Sequence, residues 1–258
     1  TDKDDRIYVL GQTADTSASF VQNVTWFNPY GGQFISRYSP DLSQRQWSTA
    51  WGTGNAGPDV SPTAFMVDVC YNVYLSAWGG PVLNGFGGTA GLPLSANPLF
   101  STTDNNDYYF LVLDKDITQP IFASFYGGTS HEHVDGGTSR FDRKGVSYQA
   151  VWAGCGGKDD FPTTPGAWSN LNGSTNCNNA VIKLDFNLPL VVADFPPLPS
   201  GCAPYTLAFQ NLSEGVPGSS MTCLWDFGDG STSTQCQPVH TYTSSGVFEV
   251  ILVVSDTA

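Results

Sequence analysis

Short apolar runs separated by turn-rich stretches recur along this chain, and three of them are written alike. An aspartate, five residues and then a tyrosine inside an apolar run occur at Asp2 and Tyr8 (RIYVLGQ), Asp68 and Tyr74 (NVYLSAW), and Asp142 and Tyr148 (VSYQAVW). The tyrosines lie 66 and 74 residues apart, and Trp47-Ser-Thr-Ala-Trp51-Gly52 returns 75 residues later as Phe122-Ala-Ser-Phe125-Tyr126-Gly127. In the middle repeat the runs FMVDV (65–69) and VYLSAW (73–78) flank a tight turn, YYFLVLD (108–114) follows a long loop, and IFASFYG (121–127) closes the unit. Their length and turn-residue borders predict strands. The next repeat supplies TSRFD, VSYQAVW and AVIKLD (180–185). The pattern gives close to three units, the first without an opening strand and the last without a closing one. Such self-similarity predicts a modular β architecture in which each unit buries a face against the next.

The pattern changes near Leu188. A proline-rich stretch from Asn187 to Pro204 leads into a unit with its own strands: VVADF, YTLAFQN, TCLWDFGDG, HTY and VFEVILVVS. In the last, Phe248, Val250, Leu252 and Val254 alternate with Val247, Glu249, Ile251 and Val253. Apolar content on both faces suits a strand inside a sandwich. The expected fold is all-β, with a partial β-propeller of about three blade-like repeats over 1–188 and a β-sandwich over 189–258. Three blades fall short of the four to eight that close a ring. Further blades, another chain or an open stack must therefore complete the first unit.

Composition narrows the roles. Only 13% of the 258 residues are charged, and aspartates outnumber glutamates twenty to three. Asp, Asn, Gly, Pro, Ser and Thr form turns and disfavour helices. A net charge of −13 without a basic cluster opposes nucleic-acid binding. No apolar run is long enough for a membrane span, so membrane insertion is not expected. The chain opens at Thr1 without an initiator methionine, which reads as a processed or excised part of something longer. The six cysteines form no CxxC pair, which argues for disulfides over a zinc knuckle and for an oxidising, extracellular home. Cys223 and Cys236 are centred on Asp229-Gly230, a favoured two-residue hairpin turn, and should face each other across it. Cys155 and Cys177 flank one Gly/Pro/Asn-rich excursion and would staple it. Cys70 and Cys202 are left without evident partners.

The second unit resembles a PKD domain, an immunoglobulin-like sandwich of extracellular proteins. Trp225-Asp226-Phe227-Gly228-Asp229-Gly230-Ser231, then Pro238-Val239-His240-Thr241-Tyr242, then Gly246-Val247-Phe248-Glu249-Val250 carry the resemblance. It implies structural roles for Trp225, Asp226, Asp229, Gly230, His240 and Tyr242. The repeats are similar to SBBP-type β-propeller repeats, through Val67-Asp68-x-x-x-Asn72-Val73-Tyr74, Phe141-Asp142-x-x-Gly145-x-x-Tyr148 and Asp160-Phe161-Pro162-Thr163-Thr164-Pro165-Gly166-Ala167. Cysteine-bearing repeats followed by PKD resemble surface proteins of Bacteroidota exported by the type IX system and labelled gliding-motility-associated.

One segment has the residue types of a site. In His131-Glu132-His133-Val134-Asp135, residues two apart share a face of an extended chain, so His131 and His133 can grip one metal ion, and Asp135 joins them only if the following glycines bend the chain. Without a metal, His131, Glu132, His133 and Asp135 remain ligand-binding candidates, or loop residues that pin one blade to its neighbour. Asp226 and Asp229 have calcium-type oxygens, more simply used to organise their hairpin. Asp104-Asn105-Asn106-Asp107 reads as a solvated loop. Trp26, Phe27, Trp78 and Trp168 lie near Gly/Pro/Asn loops, where an aromatic ring can stack on a sugar or a protein partner, although core packing is the simpler role. No nucleophile elbow or phosphate loop is present.

No cofactor is expected, although calcium or another divalent metal fits the oxygen-rich loops. The expected role is non-catalytic: a secreted or cell-surface structural, adhesive protein that binds extracellular glycans or surface proteins, with self-assembly possible. The alternatives are a subunit of an extracellular polymer and the substrate-targeting accessory region of a secreted hydrolase.

Overall fold

The computed structural model describes residues 1–14, 20–55, 57–80, 87–134, 139–142, 144–186, 191–215 and 220–256. The chain forms two compact units, Thr1–Phe186 and Asn187–Ala258. Every strand pair is antiparallel, no helix occurs among the described residues, and none of the sheets closes on itself.

Among the described residues the first unit holds three sheets. Strands β1 (Ile7–Gln12), β2 (Gln33–Tyr38) and β3 (Arg45–Trp51) form the first in that order. Strands β4 (Ser61–Val67), β5 (Val73–Trp78), β6 (Tyr108–Leu113) and β7 (Pro120–Tyr126) form the second. The third comprises β8 (Ser139–Phe141), β9 (Ser147–Ala153) and β10 (Asn178–Leu184), with β9 central. Register makes the repeats superposable. The three tyrosines pair in the same way, Tyr8 with Arg37, Tyr74 with Val112 and Tyr148 with Lys183. Trp51 pairs with Gln33 as Tyr126 pairs with Tyr108. So β1, β5 and β9 are equivalent, as are β2, β6 and β10, and β3 and β7.

The repeated aspartate and tyrosine build one turn three times. Asp68 Oδ1 accepts the amides of Cys70 and Asn72, both at 2.8 Å, and Asp68 Oδ2 accepts the Tyr74 hydroxyl at 3.0 Å. Asp2 takes the amides of Asp4 and Arg6 and the Tyr8 hydroxyl. Asp142 takes those of Lys144 and Val146 and the Tyr148 hydroxyl. The fourth residue of each turn has positive φ: Asp5 at 58°, Tyr71 at 69° and Gly145 at 81°. A carboxylate that absorbs two turn amides and a phenol lets non-glycine residues hold this left-handed position.

Alternation then divides the faces of each strand. Val73, Leu75 and Ala77 of β5 join Ile35, Trp47 and Trp51 of the first sheet in one core. Tyr74 points the other way, with ring centroids 5.8 Å from Phe141 and 5.7 Å from Phe186. The middle sheet is therefore buried on both sides, and each such side chain contributes roughly 1.5–3 kcal/mol. The far face of the third sheet is bare: Tyr148, Trp152 and Val181 are 40%, 45% and 74% exposed, against 1%, 9% and 0% for their counterparts Tyr74, Trp78 and Phe110.

The second unit pairs β11 (Tyr205–Ala208) with β14 (Val239–Tyr242) in one sheet. The other is β13 (Thr232–Ser233), β12 (Met221–Asp226) and β15 (Ile251–Asp256), with β12 central. Trp225, Phe227, Phe209, Tyr242 and Leu252 form its core. Two expectations are corrected. The final strand begins at Ile251 rather than Val247, because Gly228 packs onto the Glu249 backbone before Ile251 joins Asp226. The hairpin turns through Gly228, Asp229 and Gly230, since Phe227 N bonds Ser231 O and Asp226 pairs with Thr232. Gly228 and Gly230 both have positive φ, 77° and 92°. The centre therefore falls on Asp229, and Cys236 lies one residue beyond the position opposite Cys223.

Candidate functional site

The backbone of His133 bridges the third sheet. His133 N donates to Trp152 O at 3.2 Å and Trp152 N to His133 O at 2.9 Å. Its ring stacks on Trp152 at 8° and lies 5.8 Å from the Trp78 ring of the second sheet. His133 is thus a wedge between neighbouring sheets, where the preceding repeat has the buried Val60. His131 is half-buried, and its Nδ1 has no hydrogen-bond partner. Asp135 lies outside the described residues. Among those described, no group of three His, Cys, Asp or Glu side chains is arranged to hold a metal ion.

Between the two histidines, Glu132 is wholly buried and faces a second buried acid, Asp107, 1% exposed. A Cβ placed on Gly127 would lie within 2.6 Å of both Glu132 Oε2 and Asp107 Oδ1, so a glycine is what lets the two carboxyls converge. Ser130 Oγ donates to Glu132 Oε1 at 3.0 Å and Asp104 N to Asp107 Oδ2 at 3.2 Å. The two remaining oxygens have no donor. Burial pushes Glu132 up to about 8, assisted by the charge of Asp107, and Asp107 up to about 6. Two acceptors facing each other in a dry site fit one shared proton. Full burial denies a substrate access, so the pair is no acid–base machine for an external reactant.

The equivalent acid of the preceding repeat is Asp59, which abuts Gly52 as Glu132 abuts Gly127. It is satisfied by Thr53, through N at 2.8 Å and Oγ1 at 2.5 Å. Asp107 takes the place of Gly32, the residue before the Gln33 that corresponds to Tyr108. The sequence reading of 104–107 as a solvated loop is thereby corrected for Asp107. Comparison with Gly32 is the signal that would have singled it out.

A groove of about 760 Å³ runs beside β10, between Asn178–Lys183 and the segment 158–173. The Cys155–Cys177 disulfide staples this excursion. The Asn172 amide ties it internally to Gly154 O and Asn176 O, both at 2.7 Å. Trp168, on the rim, is fully exposed, and Leu171 is 64% exposed. Trp78, by contrast, is packed against His133 rather than presented to solvent.

In the second unit Trp225 is buried against Phe195 and Phe209, each 5.2 Å away. Asp226 Oδ1 accepts Gly228 N at 2.9 Å, and Asp229 Oδ1 accepts Ser231 N at 3.0 Å. Asp229 Oδ2 meets His240 Nε2 at 2.8 Å, and the His240 ring stacks on Phe227 at 4.1 Å. The Ser231 hydroxyl first, and then His240, hold the Asp229 carboxyl down to about 2. Tyr242 OH donates to Phe227 O at 3.0 Å. Both aspartates are thus engaged in the hairpin. The Cys223–Cys236 disulfide links its two arms, while Cys70 and Cys202 are exposed and outside both disulfides.

Two antiparallel sheets closed over Trp225 define an immunoglobulin-like sandwich. More specifically, a PKD domain occupies residues 192–258. Similar segments occur in a microbial collagenase of Vibrio alginolyticus, 55% identical over 52 residues, 20% of this chain and 6% of that protein. The pre-pro-metalloprotease PrtV of Vibrio cholerae is 45% identical over 47 residues, 18% of this chain and 5% of its own length. Collagenase ColQ1 of Bacillus cereus is 48% identical over 44 residues, 17% of this chain and 5% of its own. The likeness is to PKD regions and spans about a twentieth of these relatives.

Proposed function

We propose that this chain is a non-catalytic, extracellular region that attaches its parent protein to glycan or protein surfaces. The repeat sheets act as part of an SBBP-like propeller and the PKD domain as a companion module. The observation that carries the reading is Trp168: a fully exposed indole on a disulfide-stapled, hydrogen-bonded loop, at the rim of a groove about 760 Å³ in volume. A large aromatic left in water on a rigid loop is a contact residue held ready at little ordering cost. The company of PKD regions in secreted collagenases favours a substrate-targeting role beside a hydrolase, and the resemblance of the repeats to type IX cargo favours a cell-surface home. The bare outer face of the third sheet favours assembly with a further sheet as a second reading.

The test is retention of the intact chain on insoluble chitin, cellulose, peptidoglycan and collagen fibres, beside Trp168→Ala. At least tenfold weaker retention of the variant on one polymer is expected, with unchanged melting. Equal retention of the two proteins on every polymer would remove Trp168 from the binding surface.

A further inference from the structure

The two earlier sheets show how the third is finished. In each, the long loop before the second or third strand lies on the closing strand. Gln22 exchanges backbone hydrogen bonds with Ser48, Asn28 N bonds Ala50 O, and Thr49 Oγ1 donates to Trp26 O at 2.7 Å. In the second sheet Ser95 N bonds Ala123 O, Phe125 N bonds Phe100 O, and Ser124 Oγ reaches Phe100 O at 3.4 Å. Thr49 and Ser124 are the same position by register. The closing strands β3 and β7 thus share one chemistry: an aromatic (Trp47, Phe122), a small residue (Ser48, Ala123), a hydroxyl (Thr49, Ser124), one variable position, an aromatic (Trp51, Tyr126) and a glycine (Gly52, Gly127).

The third sheet ends at β10, which pairs with β9 and with no other strand among the described residues. Its corresponding loop, 158–173, stands off, and the groove fills the space between loop and strand edge where β3 and β7 sit in the other sheets. An unpaired strand edge is a template for another chain, and a flanking groove gives the added strand's side chains a seat.

We propose that the edge of β10 with its groove is an acceptor for an extended strand of a second polypeptide. That strand carries the β3/β7 chemistry and enters antiparallel to β10. This deepens the reading of the groove as a binding surface and rests on it for the ligand seat. It names the ligand class as a polypeptide strand held through its backbone.

The test uses the intact chain and a fluorescent peptide copied from Gln119 to Gly127, with lysines added outside it for solubility. Two further peptides carry N-methyl groups on alternate amides, in opposite phase. Every second amide of a strand faces its partner, so only one phase should matter. Saturable binding is expected, weakened at least tenfold by one methylation phase and little by the other, with amide NMR shifts confined to β10 and 158–173. No saturation up to millimolar peptide, or equal affinity of the two methylated peptides, would overturn the proposal. Because the peptides, and not the protein, are altered, folding is not at issue. Binding to polymers through Trp168 alongside failure of the peptides would discard the strand acceptor and leave the attachment function standing.

Discussion

The Tyr74 hydroxyl donates to Asp68 Oδ2 at 3.0 Å in a pair shielded from water, Asp68 being 4% and Tyr74 1% exposed. Removing the carboxylate strands two turn amides and a buried phenol. Buried donors left without a partner cost about 1–3 kcal/mol each. Asp68→Ala is therefore expected to lower stability by roughly 2–4 kcal/mol, because the turn relaxes enough to let water reach some of the amides. Asp142→Ala should cost less, since Tyr148 is 40% exposed and water replaces the acceptor. Urea denaturation of the two variants checks the order, and a smaller loss for Asp68→Ala would contradict it.

The Glu132–Asp107 pair predicts stability that falls as the solution becomes alkaline. Both folded values, about 8 and about 6, stand above the ordinary 4.5 and 3.8. A group whose folded pKa is raised contributes stability that is complete below its unfolded pKa and lost as pH rises through the folded one. The loss therefore runs from about pH 4 to about pH 8. Asp104 adds negative charge, while Ser130 and Thr103 offset it in part by hydrogen bonding. The first unit should melt lower at pH 8.5 than at pH 5.5. Glu132→Gln, which places an amide donor opposite Asp107, should flatten that slope. A profile as steep as that of the unaltered protein would exclude the pair as its source.

Reduction should destabilise the two units separately. Closing loops of 22 and 13 residues constrains the unfolded chain by about 3 kcal/mol each. Cys223→Ser with Cys236→Ser is expected to lower the melting of the PKD unit alone. Cys155→Ser with Cys177→Ser should act on the first unit and loosen 158–173. Hydrogen exchange at those amides, followed in each double variant, separates the two effects.

Much of this was legible in the sequence because it is local. The Asp-x5-Tyr spacing, the strand runs and the DFGDG hairpin each involve residues within a few positions of one another. Alternation in β5 and β9 was equally readable, but its meaning was not. Tyr74 and Tyr148 occupy one motif, and only the packing of Phe141 and Phe186 buries the first and leaves the second bare. Asp107 was missed because its environment is made by Gly127 and Glu132, some twenty residues away, which converge only when the sheet forms. The His131–His133 spacing did indicate an extended segment, yet what it meets, Trp78 and Trp152, comes from two different sheets. In the sequence alone Asp229-Gly230 reads as a two-residue turn, since the part played by Gly228 depends on where the Glu249 backbone lies.

Acid should act on the PKD unit in the opposite sense to the first unit. The folded Asp229 value, about 2, lies below the ordinary 3.8, so its contribution is present above that ordinary value and lost as pH falls through about 2. Its two side-chain donors differ in what else they do. Ser231 supplies the larger share of the depression, whereas His240 also stacks on Phe227 and touches Tyr242 edge-on at 4.7 Å. Ser231→Ala should therefore lower the neutral plateau and flatten the acid limb, its loss shrinking as pH falls toward 2. His240→Ala should lower stability across the whole range, pH 2 included, because core packing is lost whatever the charge of Asp229, and should flatten the limb less. Thermal melting of the three proteins between pH 2 and 7 distinguishes these outcomes. A His240→Ala loss that shrinks toward pH 2 as much as that of Ser231→Ala would mean that the carboxylate network, and not the stacked imidazole, is what holds this corner of the sandwich.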